Sequence, residues 1–248
     1  MVRFMAQVIA VTSGKGGAGK SSMCVGIGTA LARAGNSVLI VELDCGLRGL
    51  DLMLGSQDEI VYDLGDLLSG GCEVEQAITV SGVHERLALI AAPASHHLAF
   101  QIGDLELLCA GLKKGFDVVL LDLPAGLGLS AGLTGRLADR LLVVATPDPV
   151  CIRDGGRLVS LLSGEGPKKR HLLINRASYK GMKKGLVRDL DDVIDGVGLP
   201  LIGVIPDDEA ITLCFGNGKP LPPDSLPAAA FRNIAARLMG EYRPLAVQ

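Results

Sequence analysis

The chain reads as a single doubly wound α/β domain over residues 1–248, with a mostly parallel sheet of about seven or eight strands flanked by helices. Three observations predict it. Short aliphatic runs alternate with stretches of helical spacing from end to end. Several of those runs are apolar without interruption, as strands covered on both faces are. The first run leads straight into a glycine-rich turn and then a helix, the order in which such sheets hold phosphate.

Val8-Ile9-Ala10-Val11-Thr12 is the first strand, and Ser13-Gly14-Lys15-Gly16-Gly17-Ala18-Gly19-Lys20-Ser21-Ser22 follows it. Gly14, Gly19, Lys20 and Ser21 satisfy the spacing G-x-x-x-x-G-K-[ST]. Glycines allow successive N–H groups to turn inward as an anion-binding nest. A lysine here supplies a point charge to the β- and γ-phosphates, and a serine hydroxyl is a ligand for Mg²⁺. Lys15 is a second lysine inside the turn, which ordinary phosphate-binding loops do not need.

Cys24, Ile27, Gly28 and Leu31 form the apolar stripe of the first helix, which Gly35 ends. Ser37–Val41 is a buried strand closing in Glu42-Leu43-Asp44, so carboxylates stand at its C-terminal edge, where parallel sheets bind ligands. Residues 60–80 read as short amphipathic helices with glycine breaks, and Leu87–Ile90 as a strand. His96-His97 reads as a surface loop, because no further metal ligands are suitably spaced. Asp104–Lys114 is helical, stopped by Gly115. Phe116–Asp122 is four aliphatics ending in a carboxylate, followed by Pro124-Ala125-Gly126. Arg140–Ala145, His171–Arg176 and Leu199–Asp208 supply further strands with their exit loops. A helix starts near Cys151, and Phe231, Ile234, Ala235, Leu238 and Met239 stripe the last one.

Composition sets limits. Hydrophobic residues make up 48% and aromatics only 3%, so the core is aliphatic. A net charge of −3 argues against a broad nucleic-acid-binding face. Six scattered cysteines with no C-x-x-C pair suit free thiols in a reducing cytosol. The N-terminal residues run directly into the first strand, leaving no room for a signal peptide, and no apolar run approaches the ~20 residues that span a bilayer.

The loop Lys15–Ser21 resembles the deviant Walker A, KGGxGK[ST], of the MinD/ParA-type ATPases, and the likeness runs from Val8 to Pro244. Other carriers are the switch-like Asp44–Gly55 and Ile60–Asp63, the D-x-P-A-G of Asp122–Gly126, Arg153-Asp154, and Gly203-Val204-Ile205-Pro206. The resemblance implies an ATP-dependent homodimer that hydrolyses ATP with Mg²⁺ as a switch in division-site placement. In it Lys15 reaches the partner's nucleotide, Asp44 holds the attacking water, and Ser21, Asp44 and Asp122 attend the metal. Gly14, Lys15, Gly16, Gly17, Ala18, Gly19, Lys20, Ser21 and Ser22 hold the phosphates. Asn175 and Arg176 sit by the base, and Pro206, Asp207 and Asp208 close over it.

Arg153 and Asp154 match the family's partner-binding helix, which implies a division inhibitor and an ATPase-stimulating topology factor of the MinC and MinE type. A solvated helix start explains the same two residues equally well. Two positions depart from the pattern. Glu42 stands where the family usually has aspartate, with an expected effect on the metal's outer coordination, and Gly49 replaces the usual asparagine. The family's short basic amphipathic helix has no counterpart in Leu245–Gln248, so the expected location is cytoplasmic, with a peripheral place at the inner face of the membrane left open. Two alternatives stay open. One is a ParA-like or flagellar-placement ATPase with a DNA or secretion-system partner; the other is an iron–sulfur carrier, for which no cysteine spacing speaks.

Overall fold

The computed structural model describes residues 6–45, 48–93, 101–126, 128–162, 164, 166–178 and 187–245. Their strands form one eight-stranded sheet in the order β3-β4-β2-β5-β1-β6-β7-β8. These are β1 (Gln7–Thr12), β2 (Val38–Glu42), β3 (Thr79–Val80), β4 (Leu87–Ile90), β5 (Val118–Asp122), β6 (Arg140–Ala145), β7 (Lys169–Ala177) and β8 (Leu201–Pro206). Every neighbouring pair is parallel except β3 with β4. The uninterrupted apolar runs follow from this: β2, β4, β5 and β6 are buried at every position, because helices cover both faces.

The helices are α1 (Lys20–Arg33), α2 (Leu50–Met53), α3 (Leu64–Leu68), α4 (Val74–Ala77), α5 (Ile102–Leu112), α6 (Gly128–Leu137), α7 (Pro149–Leu161), α8 (Leu190–Val197), α9 (Glu209–Gly216) and α10 (Leu226–Leu238). α1 and α10 pack together on one face, Phe231 lying over Gly26 and Ile234 over Gly203 of β8. α7 and α8 cover β6 and β7 from the other face, where Gly155 faces Val197 and Val143.

The expected fold is present, with local corrections. Residues 60–80 hold two short helices, but the run ends in β3, a two-residue antiparallel edge strand that helical spacing does not announce. Also absent from the expected elements are α2, α6, α8 and α9. The last helix begins at Leu226, capped by Ser225, before the stripe that marks it. His96 and His97 lie outside the described residues, as do Gly46 and Leu47 of the switch-like segment.

β1 is the hinge of the topology, since the chain builds β2 and β5 to one side of it and β6 to β8 to the other. Strand order reverses there, so the C-terminal ends of β1, β5 and β6 part to leave a crevice. The phosphate-type loop, Asp122 and the start of α7 all open into it.

Candidate functional site

Thr12 ends β1, and the following loop is shaped by short local bonds. Ser13 donates from Oγ to the Lys15 carbonyl at 2.8 Å, and Gly126 N–H donates to the Ser13 carbonyl at 3.3 Å. Gly19, at φ 93°, begins α1 with no side-chain cap, so the first-turn N–H groups face the crevice unmasked. The loop also needs glycine at its entrance. A Cβ on Gly14 would stand 2.3 Å from the Asp154 carbonyl carbon, so the loop and α7 touch backbone to backbone.

Behind the loop lies a compact charged cluster. Lys20 is only 6% exposed, and its Nζ is 3.4 Å from Asp44 Oδ2. Ser21 Oγ donates to Asp122 Oδ2 at 2.6 Å, joining α1 to the end of β5. Asp122 is wholly buried, and its Oδ1 has no hydrogen-bond partner. Burial raises its pKa to about 7 against the lowering pull of the Ser21 hydroxyl and Lys20, while Glu42 and Asp44 add repulsion. A hydroxyl beside a buried carboxylate oxygen with no partner is a donor set that fits Mg²⁺. Among the described residues no three His, Cys, Asp or Glu converge on one point, so most of the cation's ligands must come from phosphate and water, as Mg²⁺ prefers.

Glu42 occupies a different place from the one its position suggests. Its Oε1 accepts from the N–H groups of Gly49 (3.1 Å) and Leu50 (3.3 Å), and its Oε2 from Ala92 N–H (3.1 Å). Both oxygens accept from backbone, so in this structure Glu42 acts on Asp122, its neighbour across the sheet, through its charge and not through a hydrogen bond. It ties the switch-like segment and the exit of β4 to the end of β2. Burial raises its pKa, and those N–H groups oppose the rise.

The cleft beside the cluster has a volume of about 430 Å³. Lys15–Ala18 form one wall, Thr146–Asp148 and Cys151 a second, and Arg176, Ser178 and Asp207 the rest. Lys15 does not point at its own loop. Its Nζ lies 3.4 Å from Asp148 Oδ1 on the rim, with both side chains about half exposed. Asp148 also caps α7 by accepting from Cys151 N–H at 2.9 Å, and that bond, with help from Lys15, holds its carboxyl below the usual range.

Arg176 lines the cleft with a left-handed backbone, φ 53°. Asn175 is 4% exposed and donates from Nδ2 to the Ala18 carbonyl at 2.9 Å, bracing the loop from beneath. A Cβ at Gly19 would meet that amide nitrogen at 2.4 Å. Asp207 reaches the cleft, whereas Asp208 caps α9 through Ala210 N–H. Arg153 and Asp154 pair with each other at 3.0 Å on α7, and Arg157 approaches Asp154 at 3.7 Å. Sequence reasoning does not single out Asp148 for the site. Its Thr-Pro-Asp-Pro setting announces a helix start, but only the adjacency of β1 and β6 brings it to Lys15.

Residues 9–221 match the family model described as the CobQ/CobB/MinD/ParA nucleotide binding domain. The chain is 35% identical over 250 residues to the septum site-determining protein MinD of Bacillus subtilis, covering 98% of this chain and 92% of the relative. It is also 35% identical over 246 residues to the MinD of Synechocystis, covering 97% and 92%. Among solved structures, the MinC:MinD cell division protein complex of Aquifex aeolicus superposes with a TM-score of 0.89 at 32% identity, covering 98% of this chain and 99% of that one. The MinD of Pyrococcus horikoshii complexed with Mg-ADP does so with 0.83 at 27% identity, covering 94% and 96%.

Proposed function

This chain belongs to the CobQ/CobB/MinD/ParA nucleotide-binding family, and from that premise we propose that it is a MinD-like ATPase that dimerises around ATP and acts as a nucleotide-dependent switch in division-site placement. The observation that carries the proposal is the position of Lys15. Its ammonium sits on the rim of the cleft, tethered to Asp148 and half exposed, while Lys20 is the buried lysine behind the loop. One lysine serves the chain's own phosphates, and the other is free to swing toward a second subunit.

In the nucleotide-bound state the β- and γ-phosphates lie across the Gly14–Ser22 loop and the uncapped start of α1. They take over Lys20, which releases Asp44 from its 3.4 Å ion pair to hold the attacking water. Ser21 and Asp122 would hold Mg²⁺, and the bound cation would supply the charge that offsets the phosphoryl group's developing negative charge. Gly126 N–H, bonded to Ser13 O at 3.3 Å, would report the γ-phosphate by leaving that bond. Arg176 and Asp207, with Pro206, frame the base.

The named partner of the Aquifex relative, MinC, supports a MinC-type inhibitor as a partner of this chain, and the sequence likeness extends this to a MinE-type stimulator. We assign the α7 surface around Arg153 and Asp154 to those contacts. Among the described residues no helix is long and apolar enough to cross a membrane, and all six cysteines are free, as a reducing cytoplasm would keep them.

Light scattering with Mg-ATP tests the reading. Wild type and Asp44→Ala are expected to run as dimers with ATP and as monomers with ADP, while Lys15→Ala stays monomeric in both. Phosphate release is expected from wild type and to fall by at least about a hundredfold in Asp44→Ala and Lys15→Ala. Monomers throughout, or an ATP dimer indifferent to Lys15, would overturn the proposal.

A further inference from the structure

The end of the sheet opposite the phosphate cleft carries a second depression. The starts of β2, β4 and β5, the last turn of α1 and the end of α10 enclose a groove of about 790 Å³. Arg33, Arg86, Arg232 and Arg243 line it, against the two carboxylates Asp117 and Glu241. Both acids are engaged. Asp117 accepts from the Ser37 N–H and hydroxyl, and Glu241 pairs with Arg243 at 3.1 Å. Arg33, Arg86 and Arg232 have no carboxylate partner among the described residues, in a chain whose net charge is −3.

These three guanidiniums are oriented by backbone instead. Arg33 donates to the Leu221 carbonyl at 3.4 and 3.5 Å, Arg86 to the Gly35 carbonyl at 3.2 Å, and Arg232 to the Pro223 carbonyl. A carbonyl fixes the plane of a guanidinium without cancelling its charge, so the remaining N–H groups are preorganised for an oxygen-rich anion.

A separate observation points the same way. Arg140, at the start of β6, is 7% exposed, and its Nε makes no hydrogen bond. Ile9 pairs with it across the sheet, and Gln7, on the same face of β1, donates to the sulfur of Met239 in the groove wall. Arg140 thus sits on that face one strand beyond β1, behind the groove rather than in its lining, and His171 of β7 lies beyond it with Nδ1 unpartnered. Closing helix ends accounts for Arg33 and Arg86 alone. It does not account for a buried Arg140 whose Nε lacks an acceptor, a donor that an anion nearby would stabilise.

We propose that this groove is an anion site for a phosphorylated ligand, held by Arg33, Arg86 and Arg232 and independent of the nucleotide cleft. The phosphoryl group has two possible sources, a soluble polyphosphate or the headgroup of an anionic lipid, and two probes separate them. The protein is first saturated with Mg-ADP so that its own cleft is filled. Calorimetry then measures inositol hexakisphosphate, and sedimentation measures vesicles of phosphatidylglycerol in phosphatidylcholine. Wild type is expected to bind at least one probe saturably and more weakly as salt rises. The pair Arg86→Gln/Arg232→Gln should weaken that binding by about tenfold or more, with ADP affinity unchanged.

The control pair Arg136→Gln/Arg188→Gln makes the same change in net charge at arginines bound to Glu106 and Asp192 elsewhere, and should stay within about twofold of wild type. Binding of vesicles alone assigns the site to a headgroup, and binding of the soluble probe alone to a free phosphate. Failure of wild type to bind either, or equal loss in both double variants, overturns the proposal.

Discussion

Glu42 uses both carboxylate oxygens on three N–H groups drawn from Gly49, Leu50 and Ala92. It is 2% exposed, so those bonds form where water does not compete. Removing the carboxylate strands three donors at once, and an unsatisfied buried donor costs about 1–3 kcal/mol. Glu42→Ala is therefore expected to lose about 3 kcal/mol or more in urea denaturation of the nucleotide-free protein. Glu42→Asp, one carbon shorter, cannot span from Ala92 to Gly49 without moving the backbone, and should lose about 1–2 kcal/mol. A loss under about 1 kcal/mol in Glu42→Ala would mean that the switch segment is held by other contacts. Which residues Glu42 binds is not legible in the sequence. Its position at a strand end announces a site carboxylate, but the side chain turns along the edge toward Ala92, and that depends on β4 lying beside β2.

The start of α7 and the phosphate-type loop form one unit. Asp148 has two tasks, capping α7 through Cys151 N–H and holding Lys15 on the rim. Asn caps helices about as well as Asp, so Asp148→Asn keeps the first task and drops the second. If Lys15 must leave Asp148 to reach a second subunit, this variant should dimerise with ATP at a several-fold lower protein concentration. Two such pairs break per dimer, so the ceiling is about thirtyfold, since an exposed ion pair contributes about 0.2–1 kcal/mol. Dimerisation weakened in Asp148→Asn would instead assign Asp148 to the dimer contact itself. The elements here are readable where chemistry and periodicity coincide: the loop after β1, the aliphatic run ending in Asp122, and the stripe of α10 are all expected. What escapes reading is short or tertiary. β3 has two residues and pairs only because β4 offers an edge, and the Lys15–Asp148 contact exists only because β6 is placed next to β1.

Across the molecule the two ends of the sheet divide the charge, with carboxylates gathered at the cleft and guanidiniums at the groove. The cleft end then governs how the stability of the nucleotide-free protein responds to pH. Asp122 has its pKa raised to about 7 in the folded chain, from an ordinary aspartate value of 3.8, chiefly through burial. Between those values the folded state binds a proton that the unfolded state does not. Stability is greatest at low pH on this account and declines as pH rises from about 4 to about 7, by up to about 4 kcal/mol in total. Asp148, with its lowered pKa, acts in the opposite sense below about pH 4, while within the window Glu42, raised by burial, adds to the decline and His171, lowered by burial, opposes it. Mg-ADP should abolish Asp122's part of the decline, because a cation beside Asp122 stabilises the charged form and ligand bound to the folded state adds about 2.7 kcal/mol at a hundredfold excess over Kd. Urea denaturation at pH 5 and pH 8, in EDTA and in Mg-ADP, measures both effects. Asp122→Asn should remove that part of the pH slope in EDTA while leaving the protein folded, and an unchanged slope in that variant would assign the titration to another buried acid, Glu42 being the first to examine.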